Sequence, residues 1–289
     1  KSEYTASFAE PYLFNRDLYA ESNVYNTTMD YIESRYDLKR EGFNLKGNFS
    51  LSEYVRQSIS YGLVIRKLTT RSGASTTIVA EEGETTLSEI GTSIIIDTTN
   101  NRMVPTTGYS ISLSTAFAGL GGDKKFFRLN NSGNYYQSYN DDLIILGFSF
   151  KTGIITGIGQ DILISDRYFL GGNNFRGFEQ SGIGPRDVVS LDSLGGNIFY
   201  TGSLKVSFGL GLPPELGIKG NWFATFGSLT GVDKNTDTYN DNSSIRLSTG
   251  IGVSWESPFG PISIIISEAL LKENYDLTES LSFGLGTSF

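Results

Sequence analysis

Apolar and polar residues alternate along most of the chain. Phe43, Leu45, Phe49 and Leu51 are interleaved with Asn44, Lys46, Asn48 and Ser50. Ile59, Tyr61, Leu63 and Ile65 share a segment with Ser58, Ser60 and Arg66, and Ile111, Leu113 and Phe117 share one with Ser110, Ser112 and Ser114. Farther on, Ile245, Leu247, Ile251, Val253 and Trp255 alternate with Arg246, Ser248, Gly250, Gly252 and Ser254. Successive side chains of a strand point to opposite faces, so a period of two marks one apolar face and one small, polar or charged face. The rhythm predicts about thirteen strands, near 2–10, 17–31, 40–52, 56–70, 90–98, 108–120, 124–139, 143–157, 196–211, 217–229, 243–257, 260–271 and 279–289.

A soluble barrel or sandwich has the same rhythm, and three details favour a membrane barrel over it. The strands run about 9–13 residues, which a tilted membrane strand needs and which exceeds the ~5–6 usual in soluble sheets. The polar face is rich in Ser, Thr, Asn and Gly, suited to a wet lumen. Tyr12, Tyr54, Tyr109, Tyr135 and Tyr136 fall near strand ends, like an interfacial aromatic girdle. The longest aliphatic runs, such as Ile94–Ile96 and Ile264–Ile266, are far short of the ~18–20 apolar residues of a spanning helix. Any crossing is therefore by strands. The expected fold class is all-β, a transmembrane antiparallel β-barrel occupying one domain, 1–289.

Composition narrows the chemistry. Cysteine and histidine are both absent, which removes disulfides, thiol nucleophiles, histidine bases and most zinc chemistry. No cofactor and no enzyme activity are expected. A net charge of -8 argues against nucleic acid as a partner. No basic-plus-apolar leader opens the sequence, so it reads as a mature chain or a fragment. An odd strand count suggests a miscounted strand or a chain missing its beginning, because single-chain bacterial barrels usually have an even number.

One stretch breaks the rhythm. The connection near 158–195 holds GGNNFRGFEQSGIGPRD, Gly171 to Asp187. Loops longer than ~15 residues are usually functional or disordered, and unpaired backbone cannot face lipid. This segment must lie outside the bilayer or inside the barrel.

Several segments, in order, resemble the C-terminal barrel of the BamA family of outer-membrane β-barrel assembly factors. FAEPYLFNRDL (Phe8 to Leu18) is similar to a family F-x-[DE]-P-Y motif, and DTTNNRMVPTTGYSISLS (Asp97 to Ser114) to its D-x-R-D-x-x-x-x-P-x-x-G segment. RYFLGGNNFRGFEQSGIGPRD (Arg167 to Asp187) resembles the G-G-x-x-x-R-G-[FY] loop. SWESPFGPISI (Ser254 to Ile264) resembles the W-x-S-P-x-G-P hairpin, carried by Trp255, Ser257, Pro258, Gly260 and Pro261. The chain ends on a barrel-type Phe289. The resemblance implies about thirteen strands of a sixteen-stranded family barrel, without its POTRA domains and first strands.

It also implies site residues. The family loop folds into the lumen and its arginine meets inward carboxylates. The matching loop residues are Phe175, Arg176, Gly177, Phe178, Gly182, Gly184, Pro185, Arg186 and Asp187. Lys205 and Thr225 stand where relatives carry an inward Glu and an inward Asp, and a lysine would repel Arg176. The expected anchor of Arg176 is therefore Glu256 or an intraloop carboxylate, Glu179 or Asp187. In LTESLSFGLGTSF, the apolar row Leu281, Phe283, Leu285 and Phe289 reads as the last barrel strand. By resemblance it is also a β-signal at a lateral seam.

The function implied is folding and insertion of other outer-membrane β-barrel proteins by strand templating at that seam. A bacterial outer-membrane location and contact with the bilayer follow. The implied partners are unfolded barrel proteins, and accessory assembly lipoproteins acting through POTRA domains. A polypeptide-secreting pore of the same superfamily and a passive diffusion porin are the alternatives. Levels of unrelated outer-membrane proteins after depletion test the assembly role against the other two, and small-solute conductance marks the porin.

Overall fold

In a computed structural model, which describes residues 2–213, 216–233, 238–257 and 260–285, the alternating segments form an antiparallel meander. Its strands are β1 (Ser2–Glu10), β2 (Leu18–Tyr31), β3 (Tyr36–Ser50), β4 (Val55–Thr70), β5 (Gly83–Asp97), β6 (Gly108–Ala118), β7 (Phe126–Tyr139) and β8 (Ile144–Gly157). After the long loop come β10 (Ile198–Gly209), β11 (Ile218–Thr230), β13 (Arg246–Ser257), β14 (Gly260–Leu271) and β15 (Leu281–Leu285). These make one 13-stranded sheet, each strand pairing with its neighbours in sequence order. Two short strands, β9 (Arg186–Asp187) and β12 (Tyr239–Asn240), pair with each other apart from it. Among the described residues no helix is long and apolar enough to cross a membrane.

The alternation sorts the faces as expected. On β13 and β14, Ile251, Val253, Trp255, Ile264 and Ile266 are exposed on one side. Ser248, Ser263 and Ser267 are buried on the other. An apolar face left open on so many strands is unstable in water and suited to lipid.

Two strands start earlier than the rhythm predicts, β3 at Tyr36 instead of 40 and β5 at Gly83 instead of 90. The reason is a reversal of phase. At these ends the inward side chains are apolar, Tyr36, Leu38, Leu68 and Leu87, all buried. The alternate positions include the polar Asp37, Lys39 and Lys67. That pattern suits a strand that has left the bilayer, with water outside and packed protein inside. A scan for one continuous apolar face cuts such a strand short.

A meander places every second connection at the same end. The 32–35, 71–82, 119–125, 158–197, 231–245 and 272–280 connections therefore share one end, and the longest of them organises it. Three apolar clusters fill this end, and the 158–197 loop contributes to each: Ile164 and Leu194 to the first, Ile162 to the second, Leu170, Phe175, Phe178 and Ile183 to the third. The expected wet lumen is thus dry here. At the opposite end, the β13–β14 hairpin joins Ser257 to Gly260, whose φ is 116°.

Candidate functional site

The long loop enters the sheet's concave side in two layers. Its outer layer is held by charge. Asp166 accepts from both terminal nitrogens of Arg66 at 2.7 and 3.0 Å, and Arg128 approaches it at 3.4 Å. Glu89 lies 3.6 Å from Arg128 on its other side. Arg66 and Asp166 are almost wholly buried, and Arg's planar fork matches a carboxylate in this two-point way. Arg167 donates to the carbonyls of Leu194 and Ile162, closing the loop on itself. The Tyr168 hydroxyl donates to Asn130 at 2.7 Å, and burial pushes its phenol up to about 12, against a lowering influence of Arg128. It stays a donor at any physiological pH.

The inner layer is the arrhythmic motif. Phe175 and Phe178 are buried edge to face, ring centroids 5.3 Å apart, against Leu170, Ile183 and Leu229. Gly177 between them has a φ of 90°, and a β-carbon there would come within 2.8 Å of Ser248 on the sheet. A side chain is excluded twice over, by backbone conformation and by close approach. Gly182 is pressed against the carbonyl of Leu277, where a β-carbon would sit at 2.5 Å. Backbone hydrogen bonds then tie the motif to the 272–280 connection: Glu179 N–H to Leu277 carbonyl, Leu277 N–H to Gly182 carbonyl, and Glu279 N–H to Gly177 carbonyl.

The end of the motif turns toward the opposite edge. The Pro185 carbonyl accepts from Leu194 N–H. Arg186 donates to the carbonyls of Leu191 and Ser181. Asp187 accepts from the Ser75 hydroxyl at 2.8 Å and from Val189 N–H, Ser190 N–H and the Ser190 hydroxyl. Burial opposes its charge, but these donors together hold the carboxyl below the usual carboxylate range. Asp192 receives Ser75 N–H and pairs with Arg35. One loop thus touches the β2–β3, β4–β5 and β14–β15 connections.

Arg176, at the tip, reaches deepest. It lines a small cavity with Lys205, Asn221, Phe223, Ser263 and Ile265. Lys205 lies seven residues from the loop end of β10, roughly 23 Å along a strand at about 3.3 Å per residue. The expected carboxylate contact does not form. Arg176 makes no hydrogen bond or ion pair among the described residues, and its guanidinium stands over the Phe223 ring, 5.8 Å from the centroid. Glu256 sits at the far turn, with its N–H on the Gly217 carbonyl, because four residues of β13 separate it from the cavity wall at Gly252. Glu179 is exposed, and Asp187 is occupied with Ser75. Thr225 shares a 2.9 Å hydrogen bond with Ser203, and Asn221 links Ser207 to Ser254. Of the two positions where the resemblance implied a carboxylate, 225 carries this neutral hydroxyl pair and 205 a lysine.

Sequence reasoning missed three groups that hold this end together. Besides Asp166 with Arg66, Arg246 is fully buried, donating to Asp276 at 2.9 and 3.3 Å and to the carbonyls of Asn242 and Ser244. Asp233 accepts from Ile162 N–H and from Asn197. The available signal was three arginines, Arg66, Arg128 and Arg246, at inward positions near the loop ends of their strands. Of the hairpin motif, Trp255 is exposed on the apolar side and the Ser257 hydroxyl donates to the Gly260 carbonyl at 2.5 Å. Pro258 lies outside the described residues, and Pro261 pairs with Glu256 along the backbone. In β15, Leu281 and Phe283 are exposed on the lipid side and Leu285 pairs with Ile262, while Phe289 lies outside the described residues.

These features have counterparts among known proteins. A model of the Omp85 superfamily domain matches residues 1–289. The chain is 32% identical over 291 residues to the outer membrane protein assembly factor BamA of Neorickettsia risticii, across 100% of this chain and 39% of that protein. It is 28% identical over 233 residues to the sorting assembly machinery 50 kDa subunit of Saccharomyces cerevisiae, across 74% of this chain and 46% of that one. It therefore spans less than half the length of either relative. In fold, it is similar to the crystal structure of BamA from Haemophilus ducreyi lacking POTRA domains 1–3, with a TM-score of 0.87 at 18% identity, covering 99% of this chain and 62% of that one. CdiB from Acinetobacter baumannii is more distant, with a TM-score of 0.60 at 11% identity over 97% of this chain and 49% of that one. With an apolar-faced meander, a built-in lumenal loop and a domain match over all 289 residues, the chain is an outer-membrane β-barrel that belongs to the Omp85 superfamily.

Proposed function

We propose that the protein folds and inserts other β-barrel proteins into the outer membrane, its sheet edge acting as a template. The observation that carries this reading is whole-chain similarity to a relative named as an outer membrane protein assembly factor. The chemistry is general to sheets: a strand edge presents N–H and C=O groups, and an incoming strand can satisfy them by β-augmentation. No covalent step is needed. The clients would be unfolded barrel proteins. Accessory lipoproteins would bind outside this domain, through POTRA domains in the longer protein. The loop would brace a barrel whose seam is weakly paired.

Depletion of the protein is expected to lower the levels of several unrelated outer-membrane barrel proteins together, read by quantitative proteomics of the outer membrane. Unchanged levels would rule the assembly role out. A secretion pore is the second reading, favoured by the fold likeness to CdiB. It predicts loss of one exported polypeptide with barrel proteins unaffected. The packed loop weighs against it, because a passenger would have to displace three apolar clusters.

A further inference from the structure

A second cavity opens among the connections at the loop end of the barrel. Its volume is about 500 Å³, inside the ~300–1,000 Å³ range of small-molecule sites. Arg186 and Leu191 of the long loop, Asn240 of β12, and the 273–277 segment between β14 and β15 wall it. This end carries the long connections, as the outer side of bacterial barrels does.

The walls are fixed by contacts of their own. Arg186 and Asn240 pair along the backbone of β9 and β12. Asp276 accepts from Arg246 and from Glu273 N–H, and Leu277 bonds through its backbone to Gly182 and Glu179. The Tyr275 hydroxyl accepts from Asn242 N–H and from Arg246. Arg246 also stands over the Tyr275 ring, 5.8 Å from its centroid. Tyr275 lines the cavity too, and so stands there as an immobile aromatic platform near Leu191 and Leu277.

The charges around the space cancel. Arg246 is paired with Asp276, and Arg186 and Glu273 bring one charge of each sign. Arg186 already donates to the carbonyls of Leu191 and Ser181, and Glu273 accepts from the Ser244 hydroxyl. An ionic guest therefore meets no unbalanced charge. Two amides remain: the Asn240 and Asn274 side chains are exposed and make no hydrogen bond among the described residues. Each amide offers a donor and an acceptor in one plane, which suits neighbouring hydroxyls of a sugar ring. An aromatic face suits the C–H side of such a ring, because its quadrupole is negative there.

We propose that this cavity binds a neutral saccharide, a mono- or disaccharide unit, from outside the cell. Asn240 and Asn274 bond its hydroxyls and Tyr275 packs against its ring. This role is independent of the assembly function.

The test uses the full-length protein in an amine-oxide detergent, which has no sugar headgroup, and saturation-transfer NMR. The probes are glucose, galactose, mannose, N-acetylglucosamine and their disaccharides, with glucuronate and glucosamine as charged controls. At least one neutral sugar is expected to receive saturation at its ring C–H protons. Asn240→Ala and Asn274→Ala together are expected to weaken its binding about tenfold, and Asn173→Ala to leave it unchanged. Each sugar is offered free and coupled through its reducing end to a soluble carrier. Response to both forms marks a glycan chain end as the source, and response to the free form alone marks a solute; either supports the site. Saturation of no neutral sugar, equal binding of the charged controls, or undiminished binding by the double variant would overturn the proposal. Should that variant fail to fold, wild-type crystals soaked in the best sugar decide: density against Tyr275 supports the site, and its absence there overturns it.

Discussion

Asp166 is the residue on which the outer layer of the loop turns. Its carboxylate and its partner Arg66 are almost wholly buried, and the partly exposed Arg128 closes on it from a third side. Removing one partner of a buried pair costs about 3–5 kcal/mol, since the other charge stays buried and uncompensated. Asp166→Ala is therefore expected to loosen the loop sharply, seen as faster protease cleavage within 158–197 on folded protein. Gly177 is the corresponding point of the inner layer. Gly177→Ala places a β-carbon against Ser248 at a φ of 90°, and strain at such a backbone costs about 1–3 kcal/mol before any clash. Its unfolding midpoint in urea is expected to fall accordingly, while an exposed neighbour such as Asn173 tolerates alanine.

At the scale of elements, the loop behaves as a core assembled from the top of the barrel. Asp187 gives it a pH dependence of definite sign. Its folded carboxyl is held below its unfolded value of about 3.9. The stability it contributes is present above that value and is lost as pH falls through the folded pKa. Hydrogen exchange at 185–193 is expected to accelerate below about pH 4, and Asp187→Asn to remove that acid-induced part of the change. The 272–280 connection is coupled to the loop through Arg246 and Asp276, both fully buried. Asp276→Ala is expected to raise exchange in β15 as well as in 171–183, because the backbone bonds from Leu277 and Glu279 join the two.

Across the whole molecule, the two faces obey different solvents. Ile251 points to lipid at mid-strand, and Ser254 on the same strand points inward. Arginine on the lipid face near the midplane costs about 2–4 kcal/mol. Ile251→Arg is expected to destabilise the folded barrel by that amount in lipid vesicles, and Ser254→Arg by much less. Equal costs at both positions would contradict the assignment of faces.

How much of this was legible from the residues follows from which forces act locally. The strands, their order as a meander and their lipid face were readable, because a two-residue period and hydrogen bonding between sequence neighbours need no distant information. The loop was readable as a segment, since its glycines and aromatics match no strand. Its partners were not. Arg66 meets Asp166 across 100 residues, and Asp187 meets Ser75 across 112, distances over which a pattern carries no signal. The phase reversal at Tyr36 and Leu38 was hidden for the same reason: whether an inward apolar side chain is buried depends on what the loop brings to it. The sequence by itself determined a membrane barrel and the segment that interrupts it. Tertiary structure alone decided that Arg176 would face Lys205 and an aromatic ring instead of a carboxylate, because that pairing is set by how far the loop descends before its backbone bonds to 272–280 stop it.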